Sequence, residues 1–368
     1  MKPRIVVSAV NLTEMGPLSV SHDALESLAL RYRERFEIIA LVHRRELYKV
    51  PDVTYFEFPM IKSSWMRRLI FEFWSSKKIS KQIKPKLWLS MDNVTPRVSS
   101  EIQAVYCHNP SPFYKFQFSD ILLDWKFGLF TLFFRYLYAI NIQRNKYVIV
   151  QQSWIRSRFR SFYGVENVIV AHPTVSASTE PLTVPKRSTS RPEGRPYRFF
   201  YPAFPRTFKN MEIILQAARL LESSGFEEFE LLLTFDGSET SYASKMVAQF
   251  SDVKSVRWLG LLPRTRIFAM YEETECLLFP SKLETWGLPV TEFKRTRKPI
   301  LIADLPYAHE TVGSYDQVSF FDPENSQRLA DMMKAAATGQ HVFSKVKAEA
   351  IAEPYARTWQ ELWLLILP

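Results

Sequence analysis

Along the chain, short runs of apolar residues alternate with longer stretches in which apolar positions return every three or four residues. The short runs have the length of buried strands, and the longer stretches have the spacing of one helix face. In the first half this pattern predicts strands over 5–10, 37–43, 54–58, 87–91, 104–108 and 147–151. It predicts helices over 21–35, 65–83 and 120–145, with another near 153–162. The run 175–196 breaks the pattern, being rich in Ser, Thr and Pro with mixed charge. The alternation then resumes, with strands predicted over 197–201, 229–235, 256–259, 277–279 and 299–303, and helices over 210–222, 242–250 and 264–273. Strands separated by helices imply parallel, doubly wound sheets. The expected organisation is two α/β domains, 1–175 and 197–353, joined by a linker over 176–196. The final segment, 354–368, reads as an aromatic, apolar helix docked on a domain surface.

Composition agrees with two domains. The chain has 368 residues, 46% of them apolar, enough for a core in each half. Cys107 and Cys276 both sit in or beside strand-like runs, so they read as reduced core residues and imply a reducing compartment. The N-terminus enters a strand directly, and no signal peptide is expected. The most apolar stretch, 127–142, contains Arg135 and is too short to span a membrane. A cytoplasmic location, or a peripheral one on the inner membrane face, is expected.

Charge changes this picture by separating the halves. Residues 1–185 hold 25 Lys/Arg against 15 Asp/Glu, whereas 186–368 hold 23 of each. The whole net charge of +10 therefore belongs to the first half, which predicts an anionic partner for that half alone. Within it, 62–86 interleaves Lys62, Arg67, Arg68, Lys77 and Lys78 with Trp65, Phe71, Phe73 and Trp74. Such a segment suits an anionic membrane surface, the alternative being a solvated helix with a buried aromatic face. Nucleic acid is not an expected partner, because no recognition motif for it is present.

Candidate chemistry concentrates in 281–292, SKLETWGLPVTE. Glu284 and Glu292 stand eight positions apart, with Gly287 and Pro289 between them, directly after an apolar strand. A strand, a glycine turn and a helix start together make an anion-binding unit in α/β proteins. Two acids beside an anion site point to a ligand bearing both phosphates and hydroxyls, as a sugar nucleotide does; a surface acid and a helix cap are the competing reading. Upstream, YPAFPRTFKN places Arg206, Lys209 and Asn210 after a strand, where a lysine can reach a diphosphate. His108, in YCHNPSPFY, lies at a strand end, where loops of parallel sheets face the ligand. Met15-Gly16-Pro17-Leu18 reads as a turn after the first strand, with Gly16 allowing close approach of a ligand. There is no Asp-x-Asp, no His/Cys group at metal-ligand spacing and no P-loop, so no metal and no cofactor is expected.

Taken together, FPRTFKN, WLGLL, SKLETWGLPVTE and PILIADLPYAHETVG, with weaker matches in NLTEMGPLSVSHDALESL, YCHNPSPFY and VIVQQSWIRSRF, resemble the retaining glycosyltransferases of the GT-B fold, family 4. These are glycosyl transferases group 1 of bacterial polysaccharide, O-antigen and lipopolysaccharide type. The resemblance implies two Rossmann-like domains facing across a cleft, the first binding the acceptor and the second the nucleotide sugar. It implies a metal-independent hexosyltransferase that takes a nucleotide diphosphate sugar as donor and a glycan or lipid-linked molecule as acceptor. It further implies that Glu292 holds the ribose hydroxyls and Glu284 the donor sugar. Thr285, Trp286, Gly287 and Leu288 would line the sugar and phosphates. Lys209, with Arg206, would meet the leaving diphosphate, Gly16 would close over it, and His108 would lie near the reacting carbon. The chain departs from the family in three places. Met15 stands before Gly16 where a second glycine is usual, Arg206 is displaced into a Pro-containing loop, and FKRTRKP follows Glu292 in place of small residues. A sugar-nucleotide epimerase and a non-catalytic membrane-associated partner in glycan assembly are the competing functional readings.

Overall fold

A computed structural model describes residues 2–13, 15–114, 125–173 and 194–367. Two compact units divide them: one is formed by 2–13, 15–114, 129–173 and 350–367, the other by 125–128 and 194–349. The predicted linker falls mostly outside the described residues.

The first unit holds strands β1 (Arg4–Ala9), β2 (Glu37–Val42), β3 (Thr54–Glu57), β4 (Leu87–Ser90), β5 (Ile102–Cys107), β6 (Tyr147–Val150), β7 (Val168–Ala171) and β14 (Tyr355–Ala356). They form one parallel sheet in the order β14-β7-β6-β5-β4-β1-β2-β3, with Ile5 paired to both Ile38 and Leu87. β4 and β5 are buried along their whole length, as expected of parallel strands covered on both faces. The order reverses at β1 and β4, so the crevice beyond the C-terminal ends of these strands is where such a sheet receives ligands. The returning C-terminus completes this unit. Helix α12 (Trp359–Ile366) joins Trp359, Leu362, Trp363 and Ile366 to the core around Leu25 and Leu28 of helix α1 (Met15–Tyr32).

The second unit holds β8 (Tyr197–Tyr201), β9 (Phe229–Leu233), β10 (Val256–Trp258), β11 (Cys276–Phe279), β12 (Ile300–Ala303) and β13 (Val318–Phe321), all parallel. Their order is β10-β9-β8-β11-β12-β13, which puts the reversal between β8 and β11. The loops leaving those two strands carry YPAFPRTFKN and SKLETWG, so the topology itself brings the two motifs together.

Several expectations need correction. Met15–Leu18 is the first turn of α1 rather than a loop, and Gly16 is therefore a helical residue. Pro17 is compatible with this, because a first-turn residue needs no N–H partner. The helix predicted over 65–83 is split into α2 (Trp65–Ile70) and α3 (Ser76–Ile83) by a π-turn over Phe71–Ser75. The predicted 120–145 helix is described as α4 (Trp125–Ala139); residues 120–124 lie outside the described residues. Strands β7, β13 and β14 were not predicted; they span four, four and two residues.

Candidate functional site

In the second unit the site is built by the loops after β8 and β11. Asn210 adopts φ +55°, a left-handed conformation that Asn tolerates, and starts helix α6 (Met211–Ser223). Its buried amide donates to the carbonyls of Pro280 (3.3 Å) and Pro323 (2.9 Å), tying the first loop to the second. Asn210 is thus a loop fastener, with both contacts spent on backbone. Lys282 N–H donates to the Phe208 carbonyl at 2.7 Å, a second tie. The Tyr201 hydroxyl donates to the Lys209 carbonyl (3.1 Å) and shares a 2.7 Å hydrogen bond with Ser281; Tyr307 donates to the Ser281 carbonyl (2.8 Å). Burial pushes the Tyr201 and Tyr307 hydroxyls well above the usual phenol range, and the Glu284 charge adds to this. Both remain neutral donors.

On this frame Lys209 Nζ and Glu284 Oε1 form a direct ion pair, both side chains mostly enclosed. Arg206 is exposed, its guanidinium 5.1 Å above the Phe204 ring, and Thr285 is half-buried. Gly287 has φ +86°, which strains any side chain there, and a Cβ would stand 3.2 Å from the Phe279 ring, which would have to give by a few tenths of an ångström. Trp286 is buried and donates its indole N–H to Thr291 at 2.9 Å, and Thr311 donates to the Trp286 carbonyl. Helix α9 (Leu288–Phe293) is only six residues long, so its dipole is a smaller anion-binding device than the sequence suggests.

Glu292, on α9, is buried. Its Oε1 accepts from Arg264 Nη2 (2.9 Å) and its Oε2 from the Tyr271 hydroxyl (3.0 Å), both from helix α8 (Arg264–Glu273). Burial raises its pKa, opposed by Arg264, Tyr271 and Arg295. The atypical FKRTRKP run has a local explanation. Lys298 Nζ donates to the carbonyls of Tyr271 (3.1 Å), Glu272 (2.6 Å) and Thr274 (2.7 Å), capping the end of α8. Lys294 Nζ reaches Thr311 and Val312 (both 2.9 Å) at the end of helix α10 (Pro306–Val312). The two lysines donate to carbonyls at helix ends, one of which, Val312, also accepts from the Tyr315 N–H at 3.3 Å.

In the first unit His108 follows β5 and is half-buried. Asn93, in left-handed conformation after β4, organises it. Asn93 Oδ1 accepts from the His108 backbone N–H (2.6 Å) and the Tyr138 hydroxyl (3.3 Å), which fixes Nδ2 as the donor to His108 Nε2 at 3.0 Å. His108 Nε2 is then an acceptor, and Nδ1 carries the proton. That Nδ1–H is enclosed and has no partner among the described residues. Burial, followed by the Arg68 charge, lowers the imidazole to about 4, so the ring is neutral at pH 7. Asp92 accepts from the backbone N–H groups of Val10 and Asn11 (both 3.0 Å), while Arg68 donates to its carbonyl. Glu72, in the π-turn, is fully buried; burial and then Asp92 push its carboxyl well up, against Arg68. Asp92 and Asn93 went unremarked in the sequence, although MDN directly after the apolar run LWLS was the available signal.

His22, Asp23 and Glu26, on α1, are the candidate metal-ligand group among the described residues, with ligand atoms within 4.8 Å of one another. This group shares no residue with the features above.

Residues 185–357 match the family model described as glycosyl transferases group 1. Over 154 residues the chain is 23% identical to the serotype-specific mannosyltransferase WbdA of Escherichia coli, covering 41% of this chain and 19% of that protein. The chain thus spans about a fifth of the length of the curated relatives it matches. Among solved structures it is similar to the lipopolysaccharide outer core galactosyltransferase WaaB in its apo form (TM-score 0.62, 15% identity, 94% of this chain and 92% of that one). It is also similar to WaaG, a glycosyltransferase involved in lipopolysaccharide biosynthesis (TM-score 0.61, 11% identity, 91% and 90%). A third is Anabaena Alr3699/HepE in complex with UDP and glucose (TM-score 0.58, 14% identity, 92% and 93%). At these identities the likeness establishes the fold, which is GT-B.

Proposed function

We propose, from the match of residues 185–357 to the glycosyl transferases group 1 family model, that the protein is a retaining, metal-independent glycosyltransferase. It moves a sugar from a nucleotide diphosphate sugar to a lipid-linked or polysaccharide acceptor in bacterial surface-glycan synthesis. The single observation that carries this reading is the Lys209–Glu284 pair held at the sheet reversal of the second unit. Breaking the glycosidic C–O bond leaves its electron pair on the departing diphosphate and adds one negative charge to the two it already carries. Lys209 Nζ meets that added charge in a mostly enclosed site, with Arg206 as the solvent-side cation. Glu284 then accepts from hydroxyls of the donor sugar, and Glu292 from the ribose. In the first unit, His108 is a neutral imidazole whose tautomer Asn93 fixes, without the charge that an acid would bring.

The reading predicts that a nucleoside diphosphate stabilises the protein. In a thermal-shift panel of UDP, GDP and ADP sugars, the cognate donor at 100 times its Kd contributes about 2.7 kcal/mol. No shift with any of them would sink the proposal. An epimerised sugar nucleotide formed without acceptor would replace it with the epimerase reading.

A peripheral membrane location draws support from a surface that the sequence showed only in part. No helix among the described residues is long and apolar enough to cross a membrane. Helices α2 and α4, both contributing to the first unit, share an apolar face open to solvent: Trp65 packs edge-on against Phe133 and Phe134, with centroids 5.4 and 5.6 Å away. Met66 (65% exposed), Leu132 (53%) and Tyr136 (68%) are further exposed apolar or aromatic residues of these two helices, and Arg67 of α2 with Lys78 and Lys81 of α3 are exposed cations. Basic residues near an anionic bilayer contribute about 1 kcal/mol each. Vesicles with 30% phosphatidylglycerol are therefore expected to co-sediment the protein, and pure phosphatidylcholine vesicles to leave it in solution. Trp65→Ser with Leu132→Ser should release it at unchanged charge; retained binding would refute the assignment of this face.

A further inference from the structure

Glu292 is an unusual buried carboxylate, because its two oxygens are engaged from a single neighbouring helix by two residues seven positions apart. Tyr271 is buried and neutral, whereas Arg264 lies at the first position of α8 with its side chain 41% exposed. An exposed ion pair contributes little, but a half-exposed arginine on a buried carboxylate is different: removing it leaves a buried charge without compensation. An ionised carboxylate has about four acceptor directions. Arg264 and Tyr271 use one on each oxygen, which leaves two for hydroxyl donors. Their directions are fixed, because the carboxylate plane is pinned at both ends. Arg264 is itself located by its guanidinium, 5.3 Å above the Phe268 ring. The remaining cation acting on Glu292 is Arg295, exposed and just beyond the end of α9.

We propose that Arg264 is a positioning residue for nucleotide recognition: it keeps Glu292 an aimed carboxylate, and so sets how strongly the protein distinguishes ribose from deoxyribose in a nucleoside diphosphate. The inference rests on the sugar-nucleotide reading above. Two vicinal hydroxyls are the donors that a carboxylate with two free acceptor directions fits. Hydrogen bonds to a charged acceptor are about twice as strong as neutral ones, so ionisation of Glu292 determines the discrimination. Without Arg264, burial acts on Glu292 with less opposition, and the group protonates at higher pH.

The experiment measures, by calorimetry from pH 6 to 9, the affinities of UDP, GDP and ADP and of the 2′-deoxy form of whichever binds. The wild type is expected to prefer the ribonucleotide by about tenfold, the equivalent of one charge-assisted hydrogen bond. In Arg264→Met the preference should be smaller at the acid end of the range, about two- to threefold, and should rise with pH as Glu292 ionises. Arg264→Lys, which keeps the charge, should retain most of it and serves as the second variant if Arg264→Met does not fold. Full discrimination in Arg264→Met at every pH overturns the inference alone, as does a loss that does not change with pH. No binding of any of the three diphosphates by the wild type overturns the sugar-nucleotide reading first, and this inference with it.

Discussion

Lys209→Ala is expected to lower kcat by roughly two to three orders of magnitude, the effect of removing one preorganised donor to a developing anion. Fold and donor binding should change far less. The lysine lies where the loops after β8 and β11 meet, and the tie between them does not depend on its side chain: Asn210 and the Lys282 N–H make it through backbone carbonyls. A loss confined to kcat marks an interaction made mainly in the transition state. Glu284→Ala should cost a comparable factor, because Glu284 is both the proposed sugar contact and the group that locates Lys209. The double variant should then be far less impaired than the product of the two single effects, since each residue acts through the other. Initial rates with saturating donor and acceptor would measure this cycle. Unchanged product in both single variants would favour the non-catalytic reading, and strictly multiplicative losses would separate the two roles.

The legible parts of this molecule are those in which local pattern and topology agree. Apolar runs of four to six residues separated by amphipathic stretches identified most of the parallel strands. The two motifs that meet at the second sheet's reversal, FPRTFKN and SKLETWG, stood out because glycine, lysine and acid cluster at strand ends. What stayed hidden depends on contacts between distant segments. No spacing rule links Arg264 to Glu292, 28 residues apart, or Asn93 to His108, whose tautomer it fixes. Gly16 was misread for the opposite reason. A Gly-Pro pair is a strong local turn signal, but Pro is equally at home in a first helical turn, and here the helix prevails. Lys294 and Lys298 departed from the family pattern in sequence, yet they cap two helices, so the departure changes packing partners rather than the carboxylate before them.

Trp363→Ala should destabilise the first unit by about 3–5 kcal/mol, the cost of emptying a large, fully buried aromatic site. Trp363 is 0% exposed, and its ring lies 5.8 Å from that of Trp359, which in turn stands 5.5 Å from Tyr106 of β5. The side chain therefore fastens a helix from the end of the sequence to the strand that precedes His108. For a unit of this size, such a loss corresponds to a fall in melting temperature of about 10 °C. Trp363→Phe separates two contributions. The indole N–H is buried without a partner among the described residues, so it already costs the fold part of a desolvation penalty. Phenylalanine removes that penalty while leaving a smaller void, and its net cost should stay below about 1.5 kcal/mol. Hydrogen exchange, which resolves the units separately, is the suitable measurement. In Trp363→Ala, protection should fall in α1, β5 and β14 and stay unchanged in α6 and β11. Equal loss in both units would mean that they unfold as one, and that α12 is not the local fastener its contacts describe.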